Sequence, residues 1–324
     1  MWKAPRLALS MLLKRPSLCL WQVTGRCQFA CRICNFWKET QPEDLALDAC
    51  ATILRGLRKL APLMLSLAGG EPFLREDLPE LVRMASRDHF CAIITNGYLV
   101  TRDKAKAVWQ AGLTDVVVSL DYATPARHDD QRGVEGAFSR ALAALEHFQS
   151  TRPSWRQKVR INTVVMEENR DELAGLLLLA EELGVSVSFT LYSDRLGQKV
   201  NRVPTSPISA QLLELRKRHP RQVASPAAYL AKFDQALVGG IPGCHGGRTF
   251  LNINPLGRLS RCIDRNDESL LNLLTTPPKA VARAMRSTRH SDCHGCFTAC
   301  RALGDVSTGF SGLSASRDNL RTRR

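Results

Sequence analysis

Three cysteines, Cys27, Cys31 and Cys34, fall within eight positions of the stretch "GRCQFACRICNFW" (residues 25–37), and no fourth follows until Cys50. Thiolates gathered this closely bind soft metals. Four protein ligands close a metal site, whereas three leave one position open to a small molecule. The Cys-x3-Cys-x2-Cys spacing therefore suits an iron-sulfur cluster that keeps one iron free. A second set lies far downstream: Cys244, Cys262, Cys293, Cys296 and Cys300. The total of eleven is odd, the cysteines are grouped and no secretory signal is evident, so they read as metal binding in a reducing, cytoplasmic compartment rather than as a disulfide framework. Cys19, Cys50 and Cys91 sit in apolar strand or helix patterns and are expected to be inert core residues.

Positioning such a loop requires a scaffold, and from residue 18 to about 220 the chain alternates short β-branched or apolar runs with longer helical patterns. The strands expected are 18–24, 63–69, 91–96, 115–121, 160–166 and 186–192, with helices near 44–59, 77–87, 101–111, 136–149 and 169–183. Asp77 and Thr101 read as helix N-caps, and Ala111-Gly112 and Leu183-Gly184 as C-caps. Six such units imply an α/β fold with parallel strands, either an open doubly wound sheet or a barrel partly or wholly closed. In both, the loops after the C-terminal strand ends build the active site. The cysteine loop follows the first strand, "GGEP" (Gly69 to Pro72) the second, "TNG" (Thr95 to Gly97) the third, and "SLD" (Ser119 to Asp121) closes the fourth. Alone, each of these three is an ordinary turn or cap; their shared position gives them weight.

After about residue 221 the pattern changes to a glycine-rich stretch (239–262) that reads as a hairpin around Leu256-Gly257, then a helix near 277–287 and "CHGCFTAC" (293–300). The division expected is a basic N-terminal segment (1–16), a core (17–220), a cysteine-rich extension (221–303) and a disordered tail (304–324).

No stretch approaches the ~20 apolar residues that span a bilayer. The net charge is +14, and residues 1–38 hold seven basic residues and no acid. That start could touch an anionic membrane surface or an acidic partner. The plainer expectation is a helix packed over one end of the domain with its charges in water. No helix-turn-helix or RNA-recognition signature accompanies the charge, and no nucleic acid is expected.

Taken together, the Cys27, Cys31, Cys34 loop after a first strand and Gly69-Gly70-Glu71-Pro72 after a second resemble the radical S-adenosylmethionine (SAM) superfamily. The resemblance spans residues 18 to about 195 and implies a partial (β/α)6 barrel. The residue before the third cysteine, commonly aromatic in the family, is Ile33, with Phe36 and Trp37 supplying aromatic surface nearby. It implies that Cys27, Cys31 and Cys34 hold three irons of a [4Fe-4S] cluster, with SAM chelating the fourth. Reductive cleavage of SAM then yields a 5′-deoxyadenosyl radical that takes hydrogen from substrate. Glu71 with the backbone of Gly69 and Gly70, in the loop closed by Pro72, would receive the SAM ammonium; Asn96, Ser119 and Asp121 would meet its ribose or methionine moiety. An electron donor such as flavodoxin or ferredoxin is implied as a partner.

The downstream cysteines resemble the twitch and SPASM extensions of such enzymes. Five thiols suffice for one auxiliary [4Fe-4S] cluster and not for two. Cys244, Cys262, Cys293 and Cys296 are the expected ligands, with Cys300 spare or a substitute. A structural zinc site drawing on His245, His290 or His294 is the competing reading. The expected function is hydrogen abstraction from a peptide or small metabolite, oxidative if the auxiliary cluster takes an electron. The rivals are a lipid- or isoprenoid-modifying enzyme at the membrane surface and a non-catalytic iron-sulfur or zinc scaffold. Tyr192, Asp194, Arg195 and Tyr229 fall in the region expected to border the substrate.

Overall fold

The structure, a computed structural model, describes residues 2–38, 42–60, 62–193, 202–266, 268–287, 296–299 and 301. Six parallel strands, β1 (Leu18–Thr24), β2 (Met64–Gly69), β3 (Phe90–Thr95), β4 (Asp115–Ser119), β5 (Lys158–Val165) and β6 (Ser186–Leu191), pair in chain order. Each was legible from its apolar run to within a few residues. The other edge of β1 takes β7 (Phe250–Ile253) in parallel, and β8 (Arg258–Ser260) and β9 (Ser269–Asn272) add antiparallel. The sheet order is β6-β5-β4-β3-β2-β1-β7-β8-β9, so hydrogen bonds do not close it and the barrel is partial. The hairpin expected around Leu256-Gly257 is β7–β8, and Gly257 takes φ +72° there. Strand β9 was not expected, being only four residues of mixed polarity.

The described helices are α1 (Lys3–Leu12), α2 (Leu47–Leu57), α3 (Leu78–Asp88), α4 (Arg102–Gln110), α5 (Pro125–Arg132), α6 (Ala137–Thr151), α7 (Leu173–Glu182), α8 (Ser209–Arg218), α9 (Ala227–Leu230), α10 (Phe233–Val238) and α11 (Pro278–Ser287). Strands β3 to β6 alternate buried and half-buried residues along their length. One face is sealed under helices and the other looks into a barrel lumen. On β1 the sealed face carries Cys19, Trp21 and Val23, which join the main core; Leu18, Leu20, Gln22 and Thr24 alternate with them and face the lumen. Cys19, Cys50 and Cys91 are buried in that core, as expected.

Three local expectations change. Thr101 caps α4 by accepting from the Lys104 amide, but Asp77 makes no side-chain cap on α3. Its carboxylate instead receives the Arg75 guanidinium at 2.7 and 2.9 Å, and that arginine also donates to the carbonyls of Val23 and Leu45, tying α3 to β1. Helix α5 was missed because its run "PARHDDQR" is polar; the signal that could have found it is Pro125 in its first turn and Gly133 past its end at φ +69°. Helix α1 keeps Arg6, Lys14 and Arg15 exposed, as expected, but turns Lys3 inward, its Nζ donating to the Ser86 and His89 carbonyls, while Trp2, Leu9, Leu12 and Leu13 stay about half exposed or more. Segment 296–299 lies against the lumen, where Ala299 N donates to Thr190 Oγ1 at 3.2 Å.

Candidate active site

The chain leaves β1 at Thr24 and enters the cysteine loop under close restraint from the loop after β2. Gly70 N donates to Thr24 O at 3.0 Å and Glu71 N to Arg26 O at 2.8 Å. The two backbones pass so near that a Cβ on Gly69 would stand 2.1 Å from Thr24 O, and one on Gly70 2.0 Å from Arg26 O. Gly69 also takes φ +129°, which L side chains disfavour. The glycines are thus required by the protein's own backbone, before any ligand is considered.

Glu71 is fully buried. Its Oε1 accepts from Phe73 N at 3.0 Å and Thr95 Oγ1 at 2.7 Å, and its Oε2 from Asn96 N at 2.7 Å. Burial raises its pKa above the ordinary value, against these three donors, which favour the ionised form. The carboxylate therefore splices the loops after β2 and β3. Asn96 carries this forward, its Oδ1 accepting from Tyr98 N at 3.0 Å and from Gln28 Nε2 at 3.3 Å, next to Cys27. Thr95 opens the TNG motif legible in the sequence, whereas Gln28 belongs to this site with nothing in the sequence to distinguish it from a common loop residue.

The three cysteines share one apolar pocket with Phe29, Ile33, Tyr98, Val134 and Ala137. Trp37 Nε1 donates to Cys34 O at 2.9 Å and so pins the far end of the loop. Burial, then neighbouring thiols and Glu71, pushes the Cys27 thiol up to about 11, and burial raises Cys34 as well. Such thiols ionise only when a metal takes the proton's place. Among the described residues, no three His, Cys, Asp or Glu side chains converge on a single ion position. A cubane that puts each thiolate on a different iron needs no such convergence and fits three thiols gathered in one loop.

Asp121 and Ser119 diverge. Asp121 is fully buried and does not cap α5: its Oδ2 receives Arg132 Nη2 at 2.7 Å and its Oδ1 Val164 N at 2.9 Å. Burial raises its carboxyl, opposed by that guanidinium. Arg132, on the unforeseen α5, holds its charge against Cys31 and Cys34, and its Nε has no partner. An orphan donor beside the thiols fits an anionic group bound there. Ser119 stands half-buried at the end of β4, paired with Asn162 of β5 through its backbone.

Of the second set, Cys244, Cys262 and Cys296 line one cavity with Leu20, Phe250, Asn252, Asp264 and Thr298. Burial, then Asp264, pushes the Cys262 thiol up to about 12. Cys293, His290, His294, Cys300, Asp194 and Arg195 lie outside the described residues. Arg301 is buried behind Cys296, donating to its carbonyl at 2.7 Å and to those of Ile241 and Pro242. Tyr229 packs with Phe233 and Phe297 and is a core residue, while Tyr192 lies against Tyr122 and Met166.

Fold and site together define a parallel-barrel metalloenzyme whose soft, three-thiolate loop sits at the C-terminal strand rim. The profile of the radical SAM superfamily matches residues 21–180, and the chain belongs to that superfamily. It is an enzyme class that works with a [4Fe-4S] cluster and SAM. AdoMet-dependent heme synthase of Oleidesulfovibrio alaskensis is 26% identical over 271 residues, covering 76% of this chain and 69% of that protein. PqqA peptide cyclase of Gluconobacter oxydans is 29% identical over 261 residues, covering 76% and 70%. In structure, Streptococcus suis SuiB bound to S-adenosylmethionine superposes with a TM-score of 0.67 at 18% identity, over 96% of this chain and 77% of that one. Among the described residues, no helix is long and apolar enough to cross a membrane.

Proposed function

We propose that this enzyme abstracts hydrogen from a peptide and completes an oxidation with one auxiliary [4Fe-4S] cluster on Cys244, Cys262, Cys293 and Cys296. The observation supporting this reading is that the three described cysteines of the second set share a cavity with Leu20 of β1, the strand whose C-terminal end leads into the first cysteine loop. The first loop stands at the C-terminal rim, and three cysteines of the second set line a cavity whose wall includes Leu20 and Asn252. A substrate held in the lumen lies between them. The relative named as a peptide cyclase supports a peptide; the relative named as a heme synthase makes a heme precursor the substrate to assay against it.

When bound, the cluster on Cys27, Cys31 and Cys34 and its SAM supply the 5′-deoxyadenosyl radical that removes the hydrogen atom. The chain's own residues hold and shield. Glu71 uses three of about four carboxylate lone-pair sites internally and keeps one for the SAM ammonium, beside the Gly69 and Gly70 backbone. Ser119 and Asn96 take SAM hydroxyl or carboxylate groups, and Asp121 acts through Arg132, which it fixes beside the thiols. An acidic one-electron donor such as flavodoxin or ferredoxin docks near Arg26, Arg32 and Lys38 of the basic start.

Iron and acid-labile sulfide per chain after anaerobic reconstitution test the reading. Wild type should hold about eight irons and a Cys27→Ala/Cys31→Ala/Cys34→Ala variant about four, with 5′-deoxyadenosine formed by wild type alone. About four in wild type and almost none in the variant would remove the auxiliary cluster.

A second reading, contact with an anionic membrane surface, is favoured by the exposed Trp2, Leu9, Leu12 and Leu13 on a helix flanked by Arg6, Lys14 and Arg15. Leu9→Glu/Leu12→Glu should abolish binding to phosphatidylserine vesicles while SAM cleavage persists; unchanged vesicle binding would end this reading.

A further inference from the structure

The lumen wall carries a buried polar relay, one member of which, Asn252, also lines the second cysteine cavity. Gln22 on β1 and Asn252 on β7 are 2% and 1% exposed. The strands pair with Leu20 opposite Asn252, so Gln22 and Asn252 are diagonal neighbours on the lumen face. Asn266 links them: Asn252 Nδ2 donates to Asn266 Oδ1 at 2.8 Å, and Asn266 Nδ2 to Gln22 Oε1 at 3.1 Å. Asn252 Nδ2 also donates to Ser260 Oγ at 2.9 Å. This relay leaves Gln22 Nε2 and Asn252 Oδ1 without a partner. Turning all three amides over would require Ser260 to donate to Asn252, but its one hydroxyl hydrogen goes to Cys262 O at 3.2 Å, which favours the relay in this direction. One donor and one acceptor stay open.

Buried amides rarely lack partners, and the desolvation of both ends here is uncompensated within the chain. We infer that Gln22 and Asn252 bind an amide group of the substrate, one side chain donating to its carbonyl and the other accepting its N–H. The position suits a substrate contact. Gln22 stands two residues from Thr24, where the cysteine loop begins, and two from Leu20, which lines the second cysteine cavity. At about 3.3 Å per residue it is roughly 7 Å along the strand from each. The residue opposite Gln22 on β2 is the small Ala68.

A donor beside an acceptor also sets specificity. A carboxylate would oppose its lone pairs to the free carbonyl, and an ester would leave that carbonyl unpaired. The site therefore selects an amide over the acid or ester of the same shape. This inference rests on the peptide reading above and deepens it to the group recognised. The amide is either a backbone secondary amide or a primary carboxamide.

The test titrates the reconstituted full chain with N-methylacetamide, acetamide and methyl acetate by saturation-transfer NMR, and soaks crystals with each. Amides should bind between Gln22 and Asn252 and methyl acetate at least about tenfold more weakly, with the preferred amide identifying the source. Gln22→Leu should lose that preference. The wild-type comparison of amide with ester needs no variant to fold. Equal binding of amide and ester, or a water that no amide displaces, would overturn the inference. Substrate-free SAM cleavage, followed in the same samples, reports separately on the radical-SAM reading, and modification of a peptide on the peptide reading.

Discussion

Gly70 has less freedom than any ligand-binding role would demand, because Arg26 O occupies the space a side chain would enter. Gly70→Ala should cost about 3 kcal/mol in urea unfolding of the metal-free protein, from overpacking against backbone that cannot yield. Glu71→Gln tests the splice differently. An amide presents a donor to at least one of Phe73 N, Thr95 Oγ1 and Asn96 N, so about 1–3 kcal/mol should be lost without any ligand present. A fully stable Glu71→Gln protein that merely binds SAM poorly would show that the carboxylate serves the ligand alone. Both residues were legible as a motif, but their structural duty was not: it depends on which backbone lies alongside, and local spacing does not encode that.

Among the elements, β7 and segment 296–299 convert an open sheet edge into a wall of the lumen. Arg301 secures that wall by bonding carbonyls on both sides of it. Arg301→Leu should leave those acceptors buried and unmet, and iron should fall from about eight to about four per chain while SAM cleavage is retained. Loss of all iron would mean instead that Arg301 holds up the whole barrel. Helix α5 acts on the other side, delivering Arg132 to Cys31 and Cys34. It escaped sequence reading because an eight-residue polar helix carries no apolar stripe, its buried His128, Gln131 and Arg132 being polar.

Over the whole molecule, two buried histidines set an acid limit. Burial lowers His89 to about 4 and His128 to about 2, both from an ordinary 6.5. Their folded pKa values are depressed, so their contribution is intact above pH 6.5 and is lost as pH falls from there toward the folded values. From pH 7 to 5, each should withdraw on the order of 2 kcal/mol of stability. His128→Gln should flatten its share of that slope in urea unfolding at the two pH values; an unchanged slope would show that His128 already accepts a proton in the folded state. The net charge of +14 predicts a second bulk property: reduction by an acidic flavodoxin should slow as salt rises through the range where the Debye length falls below about 10 Å. A rate indifferent to salt would place the donor's docking surface elsewhere.

The sequence by itself determined the strand runs, the β-α alternation and the cysteine loop, since each rests on periodicity or spacing over a few adjacent residues. Residue type also told the inert cysteines of β1, α2 and β3 from the grouped ones. Only the tertiary structure decided that β7 joins β1, that Cys244, Cys262 and Cys296 meet at one cavity, and that Arg132 and the Gln22–Asn266–Asn252 relay are left with unpaired polar atoms. These pairings join residues from a dozen to more than two hundred positions apart. They follow from sheet order and from which face each side chain is left to occupy, and no local pattern carries that information.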